Sequence, residues 1–313
     1  MYIKRELEKT ITKYLHTPEI IAVLGTRQVG KTTLLKNLFE NKPDCKFITF
    51  EDREILAMFQ EDLDSFKKFY LSQNKFLVID EFQYAKEGGQ KLKFLFDTVP
   101  NKKIIISGSS SFDLTKQAIK YLVGRIFQFQ LHPFSFYEFL SFKDSEGLDL
   151  ILSPIVQKIR ENIFRKKEKL PEFSASMKNR FSKYINEFVI FGGFPRVALA
   201  EDFEEKQTIL NNIFSTYLLK EVREILNLSD DFKIEKLAKY LALNISGLLQ
   251  IEDISNFVGT NHKKTIQLMN ILEKTFIVEF LNPFYTNKLL EIIKSKKVFV
   301  SDTGFRNSII HNF

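Results

Sequence analysis

At 313 residues the chain is too long for one small module and suits two or three domains. Hydrophobic residues make up 44% and charged residues 27%, which excludes wholesale disorder, and a single cysteine, Cys45, excludes an internal disulfide framework and a Cys-rich zinc site. Forty-six basic against 39 acidic residues leave +7, which permits a nucleic-acid partner without requiring one. The histidines (His16, His132, His262, His311) are too scattered for a His-based metal centre. The longest charge-free run, Gln207–Leu219, is too short to cross a membrane. Met1–Glu6 has no apolar signal core, so the expectation is a cytoplasmic protein without membrane contact.

In chain order, residues 3–15 read as an amphipathic helix stopped by Pro18. Ile20–Leu24 is wholly apolar, the mark of a strand buried on both faces. A Gly-containing loop and a helix to about Glu40 follow. Lys46–Phe50, Phe76–Ile79, Lys103–Ser107 and Ile126–Leu131 read as four further strands with helical stretches between them. That alternation predicts an α/β fold, a parallel sheet with helices on both faces. After His132-Pro133 the pattern turns helical as far as Leu228, interrupted at Pro154, Pro171 and Gly192-Gly193. Helical stretches near 232–244, 251–258 and 261–274 precede two strand-like runs, Ile277–Leu281 and Lys297–Val300.

The most specific signal is Gly25-Thr26-Arg27-Gln28-Val29-Gly30-Lys31-Thr32, which matches G-x-x-x-x-G-K-[ST] between a buried strand and a helix. Glycines let the backbone curl so that its N–H groups face phosphate oxygens, and the helix adds its positive end. Lys31 is expected to reach the outer phosphates of ATP, and Thr32 to hold Mg²⁺. The strand Phe76–Ile79 runs into Asp80-Glu81. Asp80 suits the Mg²⁺, and Glu81 suits polarising an attacking water, a division of labour that fits hydrolysis. Ser107-Gly108-Ser109-Ser110 closes the fourth strand; a hydroxyl there either senses the γ-phosphate or caps the next helix through Ser110 or Ser111.

With these strings in place the sequence resembles the AAA+ ATPases, in particular a prokaryotic group in which the ATPase module precedes a winged helix and a C-terminal region of unknown function. The strings that carry the resemblance are Gly25–Thr33, Leu77–Gln83, Ser107–Ser110, Gly124-Arg125, Pro133–Glu138, Gly192–Arg196 and Ser301–Gly304. The resemblance implies strand order 5-1-4-3-2, a P-loop core over 1–132, a helical lid over 133–228, and a winged-helix α+β domain over 229–313 that runs into a truncated or absent C-terminal region. It also implies that Arg125 is either an arginine finger acting across a subunit boundary or a surface ion pair. Arg196 is either a phosphate sensor on the lid or a structural clasp. Relatives commonly continue into a nuclease-like fold after the Asp302-Thr303-Gly304 string, and no nuclease activity is expected of this chain.

Residues 251–261 read as helix, Gly turn and helix cap, followed by the helix from Lys263, which is helix-turn-helix spacing. His262, Lys263 and Lys264 open the candidate recognition helix and are the expected DNA contacts. Residues 232–313 hold 11 basic and 7 acidic side chains, a mild footprint that fits DNA and protein contacts equally. The run from Lys158 to Lys169 reads as a solvated helix face, and Cys45, Met58, Met177 and the phenylalanines of 134–142 read as packing. The expectation is an ATP hydrolase that moves lid and winged helix on a DNA or protein client and assembles into a nucleotide-dependent homo-oligomer. The alternative is a slow ATP/ADP switch whose winged helix contacts proteins.

Overall fold

The computed structural model describes residues 2–109, 121–144, 174–217 and 231–313. Ser110, Ser111, Pro154, Pro171 and the basic run from Lys158 to Lys169 lie outside them.

The first element is α1 (Leu7–Lys13), followed by β1 (Ile20–Leu24), α2 (Lys31–Phe39) and β2 (Cys45–Thr49). Next come α3 (Arg53–Glu61), α4 (Leu63–Phe66), a π-helical turn at Lys67–Leu71, β3 (Phe76–Asp80), α5 (Gly88–Thr98), β4 (Lys103–Gly108) and β5 (Ile126–Gln130). The five strands form one parallel sheet in the order β2-β3-β4-β1-β5, the order the resemblance implies. Alternate residues serve opposite faces. Ile21, Val23, Val78 and Ile105 enter one core with Leu34 and Phe39, while Ile20, Ala22, Leu77, Ile79, Ile104 and Ile106 enter the other with Phe59 and Leu95. Both faces are covered, which is why β1, β3 and β4 carry unbroken apolar runs.

The first helix is shorter than the expected 3–15. The Arg5 N–H donates to the Glu8 carboxylate at 2.7 Å and the Glu6 N–H to the Glu138 carboxylate at 2.7 Å, so side chains replace the carbonyls an earlier helical turn would need.

Beyond the sheet lie α6 (Phe136–Lys143), α7 (Ala175–Phe191), α8 (Pro195–Leu199) and α9 (Phe203–Tyr217). Ser135 and Glu138 form a reciprocal capping box that starts α6. Then come α10 (Asp231–Leu243), α11 (Ile251–Val258), α12 (His262–Lys274), β6 (Val278–Leu281), α13 (Lys288–Ile293), β7 (Lys297–Val300) and α14 (Thr303–Ile310). Gly259, at φ +75°, ends α11 and Asn261 caps α12, as the helix-turn-helix spacing predicts. A buried hydrogen bond of 2.8 Å between the Ser255 and Thr265 hydroxyls fixes the two helices. β6 and β7 pair antiparallel beside them, and the connection carries the short helix α13, which the sequence pattern did not predict.

Helix α14 does not stay with that antiparallel pair. It packs against α7, α9 and α10. Gly304 makes the approach possible, because a side chain there would collide with the Phe191 carbonyl. Phe305 lies between Phe194 and Phe214, and one continuous core runs from the sheet through α8, α9 and α10 to α12 and β6.

Candidate functional site

The phosphate loop leaves the tip of β1 at Gly25. A side chain at Gly25 would collide with the Leu131 carbonyl, so only glycine lets the loop pass the end of β5. Gly30, at φ +94°, is the N-cap of α2. The Lys31 ammonium folds over the loop onto the carbonyls of Gly25 at 3.0 Å and Thr26 at 2.9 Å. The Thr26 hydroxyl is buried with no hydrogen-bond partner among the described residues.

The order of the sheet brings the other expected residues to this loop. The Thr32 hydroxyl donates to Asp80 Oδ2 at 2.6 Å, and the Ser107 hydroxyl donates to Asp80 Oδ1. One carboxylate at the tip of β3 thus joins the start of α2 to the tip of β4. Glu81 follows with φ +53° and ψ +43°, a left-handed backbone that costs a non-glycine residue about 1 kcal/mol. Its carboxylate accepts a hydrogen bond from the Gln83 side-chain amide. Arg27 reaches out of the loop to the Tyr84 hydroxyl; burial raises the Tyr84 pKa and that guanidinium lowers it.

Arg196 is exposed at the start of α8, with no hydrogen bond or ion pair to its side chain among the described residues. Its neighbour Pro195 stands against Gly30, which places α8 at the mouth of the loop. Arg125 lies elsewhere. It precedes β5, its carbonyl accepts from the Ile20 N–H at 2.8 Å, and its guanidinium pairs with Asp97 at 2.9 Å. That is the end of the sheet opposite the phosphate loop, so the fold does not bring Arg125 to Lys31 and Glu81 of its own chain. His262 and Lys263 are exposed on the first turn of α12, with Lys264 half-buried behind them.

Two residues to which sequence reading assigned no role at this site hold it together. Arg5 is buried and donates to the Val29 carbonyl of the phosphate loop at 2.8 Å and to the His132 carbonyl at 2.5 Å. Its Nε makes an ion pair at 3.2 Å with Glu138, and its guanidinium lies over the Phe134 ring. Asp302, buried, accepts from the Gly193 N–H at 2.7 Å and the Phe305 N–H at 2.8 Å, while Gly193 O accepts from the Phe134 N–H at 2.7 Å. Those bonds tie α14 to the Gly192-Gly193 turn and onward to Phe134, whose ring lies against the Arg5 guanidinium. Asp302 was legible as part of a motif string; Arg5 carried no motif at all.

Residues 17–140 match the family model of an AAA domain, and residues 182–313 match a domain of unknown function (DUF8612). An uncharacterized protein of Methanocaldococcus jannaschii is 28% identical over 286 residues, 88% of this chain and 59% of that one. An uncharacterized protein of Haemophilus influenzae is 25% identical over 328 aligned positions, covering 96% and 71%. The chain therefore spans about 59% of the length of the archaeal relative. Among solved structures, the Aeropyrum pernix ORC1 protein in complex with DNA aligns over 99% of this chain and 93% of that one, at 11% identity and a TM-score of 0.36. A Pyrococcus horikoshii signal-transduction ATPase with a tetratricopeptide repeat sensor aligns over 98% and 42%, at 16% identity and a TM-score of 0.34. Both scores lie below 0.5, so these two likenesses carry no argument about function. The strand order, the loop and the family match define the class of protein: a P-loop ATPase-type α/β module. More particularly, the chain joins an AAA domain to a C-terminal domain of unknown function. Among the described residues no helix is long and apolar enough to cross a membrane.

Proposed function

We propose that the protein binds ATP with Mg²⁺ at the phosphate loop and hydrolyses it in the cytoplasm, moving its lid and C-terminal module on a DNA or protein client. The observation that carries this reading is the hydrogen-bonded chain Thr32–Asp80–Ser107 beside a loop whose Lys31 ammonium is held among backbone carbonyls. The donors at Thr32 and Asp80 are all oxygen, as Mg²⁺ requires, and among the described residues no richer His, Cys or carboxylate cluster competes. A bound cation supplies charge neutralisation on the phosphates. The loop residues Gly25, Thr26, Arg27, Gln28, Val29, Gly30 and Thr33 present their N–H groups to the phosphates, and Lys31 leaves its carbonyls for the outer ones. Glu81 accepts the proton of the attacking water, Ser107 holds the water or the γ-phosphate, and Arg196 closes on the phosphates from α8. Arg125 acts on the site of a neighbouring subunit. Three units share the work: 1–132 as ATPase core, 133–228 as lid, and 229–313 as winged helix, with α14 riding on the lid.

The second reading, a slow switch, is favoured by one contact. Gln83 occupies the Glu81 carboxylate, and a base so engaged activates water only after it is released. The two readings separate by mutation. Lys31→Ala abolishes ATP binding in a calorimetric titration; undiminished binding removes the phosphate-loop assignment. Glu81→Gln leaves binding intact and lowers turnover by about 10²-fold or more. Gln83→Ala raises turnover if the contact is a brake, and leaves it unchanged or lower if Gln83 merely orients the base.

A further inference from the structure

We infer that a basic recess at the end of the sheet opposite the phosphate loop binds a small organic phosphate, a phosphomonoester carried on an apolar body. No residue of the recess belongs to the candidate ATP site, so the two sites stand or fall separately.

In a parallel sheet every strand starts at the same end, and β4 lies between β3 and β1. The segments leading into those three strands therefore meet there. They enclose a cavity of about 550 Å³, within the roughly 300–1,000 Å³ of small-molecule sites. His16, Lys75, Lys102 and Lys103 line it, and no acidic side chain does among the described residues. Lys103 is 4% exposed. Its ammonium donates to the Thr17 carbonyl at 2.9 Å and the Glu19 carbonyl at 2.5 Å, with a longer contact of 3.4 Å to the Thr17 hydroxyl. Lys102 leans the other way, onto the carbonyls of Ser72 at 3.1 Å and Asn74 at 2.9 Å. Carbonyl dipoles hold these ammoniums in place but leave their charge uncancelled, and buried charge calls for an anion. Among the described residues, none of the three lysines makes an ion pair with a carboxylate. Glu19 acts on Lys103 from a distance, and one of its oxygens is buried without a hydrogen-bond partner among those residues. Arg125, over the Phe96 ring at 5.9 Å, is already paired with Asp97. Three ammoniums against one carboxylate leave the recess positive.

The chemistry of the lining selects the class of ligand. A phosphate presents three terminal oxygens to the three ammoniums, where a carboxylate has two, and lysine binds phosphate well as a point charge. The cavity is larger than a bare phosphate ion fills, and its remaining wall is apolar. Phe96, Val99 and Pro100 come from the end of α5 and the turn after it, and Leu15 and Pro18 from the approach to β1. That wall suits the ring or hydrocarbon to which a phosphate is esterified. A nucleic-acid backbone tracks lysines on an open surface, whereas the Lys103 side chain is almost wholly screened from solvent.

The test is calorimetric titration of the whole Lys31→Ala chain, in which the phosphate loop no longer competes, with phenyl phosphate, inorganic phosphate and benzoate as probes. Phenyl phosphate is expected to bind tightest. Lys75→Gln with Lys102→Gln weakens it about tenfold or more, and so does Lys103→Met, since each removes charge-assisted hydrogen bonds. Lys75 is exposed and Lys102 half-buried, so their double variant reads binding even if a change at Lys103 unfolds the chain. Burial pushes Lys103 down to about 8, with Glu19 acting in the other direction. An anion beside it raises that value, so binding takes up a proton and affinity for phenyl phosphate falls as pH rises past about 8. Lys103→Arg stays charged and flattens that fall, a change that a merely structural lysine would not produce. No binding of phenyl phosphate overturns the inference, as does binding that the lysine variants leave unchanged, or a pH profile that Lys103→Arg leaves as it was. Benzoate binding as tightly overturns the choice of phosphate. Inorganic phosphate binding as tightly overturns it too, because the apolar wall then takes no part. Lysine-dependent binding of a single-stranded oligonucleotide, with none of phenyl phosphate, assigns the recess to nucleic acid and likewise overturns it.

Discussion

At position 5 a buried guanidinium divides its N–H groups between the Val29 and His132 carbonyls and sets its Nε against Glu138. Each member of that group depends on the other. Glu138, itself buried, also accepts the Glu6 and Ser135 N–H groups. Removing one partner of a buried pair leaves an uncompensated charge, at a cost of about 3–5 kcal/mol. Arg5→Ala is therefore expected to lose stability on that scale in urea denaturation, and Arg5→Ala with Glu138→Gln to lose clearly less than the sum of the single changes. Strict additivity would mean that the ion pair contributes nothing. Arg5→Lys keeps the charge but not the planar fork, so it cannot hold both carbonyls and weakens ATP affinity more than it weakens the fold. The loop's own glycines were legible in the sequence because their spacing is a motif. Arg5 was not, because its partners at 29, 132 and 138 become neighbours only when the sheet forms.

Among the elements, α14 and the glycine turn before α8 are coupled through one carboxyl. Burial pushes Asp302 up to about 6, against the N–H groups of Gly193, Phe305 and Gly304 that favour its charged form. The folded state then binds this proton more tightly than the unfolded chain, whose carboxyl titrates near 3.8. The contribution of Asp302 to stability is fullest below about pH 4 and falls as pH rises toward 6, then stays flat above it. Urea denaturation between pH 4.5 and 7.5 is expected to show that slope in the protein and its absence in Asp302→Asn. Identical slopes would mean that the carboxyl is charged in the folded state throughout. The α11–α12 pair makes a separate prediction. If its first turn meets DNA, Lys263→Ala with Lys264→Ala weakens binding and flattens the plot of log affinity against log salt by roughly 0.9 for each phosphate that is no longer neutralised. No binding to DNA by the intact protein at low salt assigns the module to protein contacts.

On the scale of the whole molecule, Arg125 stands at the edge of the sheet remote from its own phosphate loop, paired with Asp97 in the open. An exposed pair of that kind contributes about 0–1 kcal/mol and is readily exchanged for another anion. If a neighbouring subunit's ATP is that anion, Arg125→Ala and Glu81→Gln proteins, each inactive alone, recover activity when mixed, since only the mixture pairs an intact Glu81 with an intact arginine. Turnover linear in protein concentration to the nanomolar range, with no recovery on mixing, makes Arg125 structural.

The sequence by itself determined the elements whose cause is local. The apolar runs of β1, β3 and β4, the glycines and lysine of the phosphate loop, the Gly259 stop and the Asn261 cap are each specified within a few residues, because burial on both faces, positive φ and helix capping are short-range demands. The strand order followed only from family resemblance, since periodicity says which face a residue takes but not which strand lies beside it. The tertiary structure alone decided the rest. It turned Asp80 into the junction between Thr32 and Ser107, and it set Arg5 on Val29. It packed α14 against α7, α9 and α10 rather than leaving it on the antiparallel pair, and it set an apolar groove beside the lysines that follow α13. In each case the deciding energy is a contact between segments from about 25 to more than 100 residues apart, so no window of the sequence contains both halves of it.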